Sequence, residues 1–302
     1  MSIWVCGEVL IDVLPEQATV GGGPANTAKA LALLGENVEF VGGISRDEYG
    51  RRATKELEEA GVGLRHVHKS DKPTCTATVT LGLDGSASYE FSIEDTATFD
   101  FGDWLPDAYR YKPSLLYIGT LATIIKPGSD ALMKWAKGLS ELAPIIFDPN
   151  IRPAVLSDRK LYVREVEEWV GLSSIVKVSD EDLEWLYPNE LPEEIARRWI
   201  SDSNLLVVIT KGADGISAIS NEGLVEVPGV EVDVIDTVGA GDTVGAILAQ
   251  GVSTEGLINL RGKVLENLLR CAAVAAAITC SRAGANPPTK QELRAALKKL
   301  EK

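Results

Sequence analysis

Basic residues are in short supply in this chain of 302 residues, and the shortage argues against one class of partner. The formal net charge is −14, with 30 Lys and Arg against 44 Asp and Glu. A nucleic-acid-binding surface needs a clustered basic footprint, which this sequence does not show. We therefore expect no nucleic-acid partner, and any anionic ligand must meet locally concentrated donors.

Cysteine and histidine are also scarce. The chain has four cysteines and two histidines, which are Cys6, Cys75, Cys271, Cys280, His66 and His68. The cysteines are widely separated and form no C-x-x-C pair, so neither a zinc site nor a disulfide framework is indicated. We interpret them as ordinary core thiols.

Long apolar runs, linkers and repeats are absent as well. The longest apolar stretch, Cys271 to Cys280, is well short of the roughly 18 residues that a membrane span requires. Residues 1–10 lack the basic start of a secretory signal, so we expect a cytoplasmic protein with no membrane partner. Without linkers or internal repeats, a single compact unit is favoured over two domains.

What the sequence does contain is a regular alternation of short β-rich runs with helical patterns. Near-continuous apolar runs such as Ile145 to Asp148 and Leu205 to Thr210 are typical of strands covered on both faces. Alternation of this kind predicts βαβ units around a mostly parallel sheet, which is the α/β fold class.

One region departs from this rhythm. Thr74 to Leu81 and Ser86 to Ile93 have the pattern of two strands, joined by Leu83-Asp84-Gly85 with no helix between them. A short Asp-Gly connection is a hairpin signal. We predict a small sheet lying off the main one, which serves as a lid or a dimer clasp.

The most informative segment is Asp236 to Thr243, D-T-V-G-A-G-D-T, followed by a helical run. Glycines at a helix start leave backbone N–H groups free to bind one anion, and the helix dipole strengthens that field. Asp242 follows these donors and is placed to accept a proton from an attacking hydroxyl. The alternative is a tight turn with an ordinary acidic first-turn residue.

Two other phosphate-binding motifs fit poorly. The run G-A-G-D-T-V-G has one residue too many for G-x-G-x-x-G and comes late in the chain, away from the first strand. No G-x-x-x-x-G-K-[ST] loop occurs, which excludes P-loop kinases. The poor fit to G-x-G-x-x-G disfavours a nicotinamide dehydrogenase.

The glycine-rich segments at the two ends together carry a family resemblance. Gly21 to Asn26 (G-G-G-P-A-N) and Asp236 to Asp242 resemble the two signatures of the PfkB-type (ribokinase-like) carbohydrate kinases. Further matches are G-E-V-L-I-D at 7–12, G-G-I-S-R-D-E-Y-G at 42–50, D-P-N-I-R-P at 148–153 and T-K-G-A-D-G at 210–215. The likeness spans nearly the whole chain, and within the family the sequence most resembles bacterial fructokinases.

The resemblance implies a three-layer α/β/α fold with a mostly parallel central sheet and a small β-sheet lid. It implies one kinase domain over 1–302, with the lid formed mainly by about 74–93 plus the segment near 12–20. The implied activity is ATP-dependent phosphoryl transfer to a sugar hydroxyl, with fructose as the first candidate. The alternatives are 2-keto-3-deoxygluconate, ribose, and a non-catalytic sugar-binding regulator. A homodimer is also expected.

Site residues carry over from the family motifs as follows. The resemblance implies Asp242 as general base, Gly239, Ala240 and Gly241 as the anion hole, and Arg152 as a cation for the transferring phosphate. Implied sugar contacts are Asp12, Gly22, Asn26 and Tyr89, and implied ATP contacts are Lys177, Thr210, Lys211, Gly212 and Gly215. A surface-loop role for Arg152 and a solvent-reaching role for Lys177 are the alternatives.

Metal contacts are implied less directly. Where the family has N-x-x-E to organise Mg²⁺, this chain has Ser179-Asp180-Glu181-Asp182, so Asp182 is either a magnesium residue or part of a helix capping box. A monovalent cation, K⁺ in related kinases, is implied at backbone carbonyls of Asp236, Val238, Cys280 and Ala283. A second departure from the family signature, Ile247 in place of a small residue, lies beyond the predicted site.

Overall fold

The computed structural model describes residues 1–14, 17–81 and 87–300, with the backbone alone at 79–81 and 87–89. The strands are β1 (Ile3–Cys6), β2 (Leu10–Val13), β3 (Ala18–Gly21), β4 (Val38–Ser45), β5 (Gly63–Ser70), β6 (Thr76–Leu81), β7 (Ala87–Ser92), β8 (Leu115–Gly119), β9 (Ile145–Asp148), β10 (Ile175–Ser179), β11 (Leu206–Thr210), β12 (Ile216–Ser220) and β13 (Gly223–Val227). The helices are α1 (Gly23–Leu33), α2 (Glu48–Glu59), α3 (Ala108–Tyr111), α4 (Gly128–Leu139), α5 (Arg159–Leu172), α6 (Asp180–Leu186), α7 (Pro192–Trp199), α8 (Ala240–Glu255), α9 (Gly262–Cys280) and α10 (Lys290–Leu300).

The central sheet has nine strands among the described residues, in the order β13-β12-β11-β10-β9-β8-β1-β4-β5. The pairs from β11 to β5 are parallel, whereas β12 and β13 pair in antiparallel fashion. Side chains of the inner strands alternate between two apolar cores: in β1, Ile3 and Val5 join one core, while Trp4 and Cys6 join the other. The predicted α/β fold with a mostly parallel sheet is confirmed.

Helices cover both faces of this sheet and complete three layers. One core contains buried residues of α1, α2, α8 and α9, and the opposite core contains those of α4 to α7. None of the described helices combines the length and apolarity of a membrane span. The four cysteines are free thiols, buried at Cys6 and Cys75 and partly buried at the other two positions.

A second sheet is formed by four of the described strands, in the order β3-β2-β6-β7. β6 pairs antiparallel with β7, and β2 joins β6 in parallel and β3 in antiparallel register. These strands fall on the segments predicted for the lid, and the lid or clasp role stays a prediction. The predicted turn residues Leu83, Asp84 and Gly85, and the side chain of Tyr89, lie outside the described residues.

Two helices that start beside each other position the functional site. Gly22 precedes α1 with φ +107°, and a Cβ built there would lie 2.6 Å from the Glu8 carbonyl oxygen, so only glycine fits. Gly239 precedes α8 with φ +80°. The helices α1 and α8 pack together, which brings the segments near residues 22 and 240 to one edge of the sheet.

Candidate active site

Asp242 lies in the first turn of α8 and is only 7% exposed. Its Oδ2 accepts a hydrogen bond from Asn26 Nδ2 at 2.9 Å, and its backbone carbonyl accepts one from Thr27 Oγ1 at 3.3 Å. Burial raises the pKa of Asp242 to about 6, and the nearby charge of Lys177 opposes that rise. The carboxylate is therefore ionised at neutral pH yet poorly hydrated, which suits a general base.

The predicted anion cradle, Gly239 to Gly241, directly precedes Asp242. The first-turn N–H groups of a helix have no intrahelical acceptor, and Gly239, in the left-handed conformation, turns the chain into α8. The Ala240 N–H donates to the Thr237 carbonyl at 3.2 Å. No such turn bond uses the Gly239 or Gly241 N–H in the described part of the chain. Of the three predicted anion-hole residues, these two glycines are thus the freer donors.

Exposed apolar side chains lie beside this cradle. Three apolar side chains that precede α8 by a few residues are exposed: Val234 at 62%, Ile235 at 67% and Val238 at 51%. These apolar side chains are placed to contact an apolar group of a ligand whose anionic part binds at the predicted cradle.

Asn26 and Asp12 form the predicted sugar side of the site. Asn26 is buried, and while its Nδ2 donates to Asp242, its Oδ1 has no partner among the described residues. Such an acceptor is costly unless a ligand or water donates to it. Asp12 lies against Gly21, since a Cβ at Gly21 would be 2.2 Å from Asp12 Oδ2. Burial raises the pKa of Asp12, and the charge of Arg152 opposes this rise.

Arg152 is an exposed residue whose charge acts on the site. Its Nη1 donates to the Ile151 carbonyl at 2.9 Å. The same guanidinium lowers the pKa values of Asp12 and Asp242, although burial dominates at both carboxyls. The structure therefore brings Arg152 into the electrostatic neighbourhood of the predicted base.

Lys177 is buried beneath the cradle, so the alternative in which it reaches solvent is wrong. It is 4% exposed, and its Nζ donates to Asp148 Oδ2 at 2.9 Å. Tyr117 donates to the same oxygen at 2.8 Å, whereas Asp148 Oδ1 has no partner among the described residues. A Cβ at Gly241 would lie 3.0 Å from Lys177 Nζ, which places the ammonium directly against the first turn of α8.

The other predicted nucleotide residues follow β11. Thr210 ends that strand, and Gly212 begins the 3-10 turn after it. The Lys211 ammonium pairs with Glu193 at 3.0 Å and with Glu226 at 3.2 Å. Gly215 has φ +104°, and a Cβ there would lie 2.2 Å from the Val227 carbonyl oxygen. Lys211 and Gly215 thus have structural contacts, and their contact with ATP stays a prediction.

Asp182 has the capping-box geometry that the sequence left as one alternative. Its backbone N–H donates to Ser179 Oγ at 3.0 Å, and its Oδ2 accepts from the Ser179 N–H at 3.3 Å. Its Oδ1 accepts from the Ile151 N–H at 2.9 Å. Across the described residues, no group of three or more acidic, histidine or cysteine side chains could hold a metal. The magnesium role of Asp182 stays a prediction.

The residues predicted for a monovalent cation come from two segments that the fold joins. Asp236 Oδ2 accepts from the Gly284 N–H at 2.9 Å, and Asp236 Oδ1 accepts from the Val238 N–H at 3.0 Å. The Cys280 carbonyl accepts from the Ile235 and Asp236 N–H groups at 2.8 and 3.2 Å. Ala283 lies in the same turn, and the cation contact itself stays a prediction.

Sequence reasoning assigned no role to two residues that contact this site, Tyr117 and Glu8. Tyr117 ends up beside Asp148 because β8 and β9 are neighbours, a pairing that no local pattern reveals. Glu8 belongs to the G-E-V-L-I-D motif at residues 7–12 and is buried, and burial raises its pKa to about 7. The motif drew attention to Glu8, but only the fold shows what it contacts.

Fold and site together define a small-molecule kinase of ribokinase-like architecture. The description "pfkB family carbohydrate kinase" belongs to the sequence profile that matches residues 8–292. The chain is a member of the pfkB family of carbohydrate kinases.

Curated relatives include fructokinases from two bacteria. The fructokinase of Rhizobium leguminosarum bv. trifolii is 33% identical over 273 residues, which cover 86% of this chain and 82% of the relative. The fructokinase of Vibrio alginolyticus is 30% identical over 267 residues, which cover 82% and 83%.

Solved structures show the same fold. The fructokinase of Xylella fastidiosa with bound ATP has a TM-score of 0.92 and 24% identity, with 100% of this chain and 99% of that chain covered. A double-mutant fructokinase of Vibrio cholerae O395, in a form with fructose, ADP and potassium ion bound, has a TM-score of 0.83 and 26% identity, with 99% and 98% covered.

Proposed function

We propose that the protein transfers the γ-phosphoryl group of ATP to a hydroxyl of fructose. The observation that carries this proposal is the buried Asp242 carboxylate, held by Asn26 beside the glycine cradle at the start of α8. A base next to an anion site is the arrangement that phosphoryl transfer to an alcohol requires. The curated fructokinase relatives support fructose as the acceptor.

In the proposed mechanism, Asp242 accepts the proton of the attacking hydroxyl while the phosphoryl group moves in line onto that oxygen. The N–H groups of Gly239, Ala240 and Gly241 and the Arg152 guanidinium stabilise the charge on the phosphoryl oxygens. Asp12, Gly22 and Asn26 bind the sugar, and Asn26 Oδ1, which has no partner among the described residues, accepts a hydrogen bond from one of its hydroxyls. No covalent enzyme intermediate forms.

Mg²⁺ fits this site as an ion held mainly by the nucleotide phosphates and water, because it retains several waters in kinase sites. Asp148 Oδ1 has no partner in the described part of the chain and can accept a hydrogen bond from such a water, and Asp182 is the residue predicted to help hold the ion. When bound, the ion neutralises phosphate charge. The ATP contacts of Lys177, Thr210, Lys211, Gly212 and Gly215, and a K⁺ site at Asp236, Val238, Cys280 and Ala283, belong to the same proposal. A cytoplasmic homodimer with a β lid that includes Tyr89 completes it.

A panel of acceptors tests the substrate. ADP release with MgATP is measured for fructose, 2-keto-3-deoxygluconate, ribose, glucose and adenosine. We expect fructose to give the highest kcat/KM. A higher value on another acceptor would replace fructose as the substrate, and no turnover on any of them would favour a sugar-binding regulator.

The pH dependence of kcat/KM tests the base independently of the sugar. Only ionised Asp242 accepts a proton, and its pKa is raised to about 6. We therefore expect kcat/KM to rise with pH through about 6 and then to level off. A profile that is flat between pH 5 and 8 would contradict the assignment.

A further inference from the structure

Glu8 makes an unusual set of contacts for a residue outside the proposed chemistry. It is 2% exposed, and one carboxyl oxygen accepts a hydrogen bond from the Thr120 hydroxyl. The other accepts from the Ala122 N–H at 3.1 Å. Its backbone carbonyl lies against Gly22, at the start of α1. Glu8 therefore joins the turn after β8 to the predicted sugar-binding segment.

Thr120 is the residue that Glu8 holds. It directly follows β8 and has φ +59°, which is the left-handed region that β-branched residues rarely adopt. Such a conformation is unfavourable for a β-branched residue and persists only where the surroundings impose it. The bond from its hydroxyl to Glu8 supplies part of that restraint, and Thr123 Oγ1 donates to the Thr120 carbonyl at 2.7 Å.

The methyl group of Thr120 faces the proposed reaction centre. A Cβ built on Gly23 would lie 2.8 Å from Thr120 Cγ2, 3.2 Å from Asp242 Oδ1 and 3.3 Å from Asn150 Nδ2. These three side chains therefore surround the same point above Gly23. The two branches of Thr120 have different neighbours, because its hydroxyl bonds to Glu8 while its methyl lies near the point above Gly23 that Asp242 Oδ1 also approaches.

We propose that Glu8 is a positioning residue, which fixes Thr120 so that the Thr120 methyl holds the reacting sugar hydroxyl against Asp242. The inference rests on the proposed function. Glu8 itself touches neither the sugar nor the phosphate in this arrangement. Its loss should lower kcat more than it raises KM, because the sugar contacts of Asp12 and Asn26 remain.

The test compares Glu8→Ala, Glu8→Gln and Thr120→Ser for kcat, KM for the sugar, and melting temperature. Misplacement of a reacting group by about 1 Å can cost about 100-fold in rate, so we expect Glu8→Ala to lower kcat by about 100-fold. Glu8→Gln should retain most of kcat, since its amide can accept from Ala122 and donate to Thr120. Thr120→Ser keeps the bond to Glu8 but lacks the methyl, so it should lose kcat with little change in melting temperature.

Glu39→Gln is the matched control. Glu39 is also buried and accepts a backbone N–H, from Arg65 at 3.1 Å, but it lies near the opposite end of the parallel strands, on β4. We expect the kcat of Glu39→Gln to equal that of the wild type. If the wild type turns over and kcat is unchanged in Thr120→Ser, or in a Glu8→Ala variant that still folds, this inference alone would be overturned. Absence of wild-type turnover on every acceptor would overturn the proposed function, and this inference with it.

Discussion

Asp242→Asn is expected to lower kcat by roughly 10²–10⁴-fold, the range that general base catalysis contributes. The amide has the shape of the carboxyl and can still accept from Asn26 Nδ2, so binding of sugar and ATP should change little. The measurement is the rate of ADP release at saturating substrates. Asp107→Asn, at the N-terminal cap of α3, is the control and should keep full activity. An Asp242→Asn rate within tenfold of the wild type would contradict the assigned base.

At neutral pH, the free energy of unfolding of Asp242→Asn should exceed that of the wild type. The Asp242 pKa is raised from 3.8 to about 6, so folding favours the neutral form, and the stability of the wild type falls as pH rises from about 4 to 6. An asparagine avoids this cost, which amounts to at most about 3 kcal/mol at pH 7 and vanishes below about pH 4. Denaturant unfolding at pH 4 and pH 7 measures the difference. If the difference in free energy of unfolding between Asp242→Asn and the wild type is the same at pH 4 and pH 7, burial does not disfavour the charged form of Asp242.

Lys177→Met is expected to have the second largest effect, because it leaves the buried Asp148 carboxylate without its cation. Lys177 and Asp148 are 5% and 1% exposed in their side chains, and their charged atoms are 2.9 Å apart. Removing one partner of a buried pair costs about 3–5 kcal/mol. Because Lys177 also lowers the pKa of Asp242, the midpoint of the kcat/KM profile should move to higher pH. Urea denaturation and the pH profile are the two measurements.

The double variant Lys177→Met with Asp148→Asn separates this effect from direct ATP binding. Asparagine still accepts from Tyr117 and leaves no unpaired charge at positions 148 and 177, so stability should recover relative to Lys177→Met. The charge of Asp148 raises the pKa of Asp242, so its removal should bring the midpoint of the profile back toward the wild-type value. A large rise in the KM for ATP with no movement of the midpoint would instead support a direct phosphate contact for Lys177.

Much of the fold could be predicted from local pattern. Buried parallel strands are nearly continuous in apolar residues, and the helices between them have their own period, so the α/β class follows from the order of the segments. The hairpin strands β6 and β7 were predicted because no helical pattern separates them. The order of the nine strands is not encoded locally, since β1 pairs with β4 and β8, which are far from it in the chain.

The site divides in the same way. The sequence by itself determined the family and predicted the glycine cradle and the acidic residue after it, because these depend on residues adjacent in the chain. Only the tertiary structure decided that Lys177 is buried against Asp148, that Asp182 closes a capping box and that Glu8 holds Thr120. These contacts arise where the carboxyl ends of distant parallel strands meet, and burial there, which sets the pKa values, is a property of the whole fold.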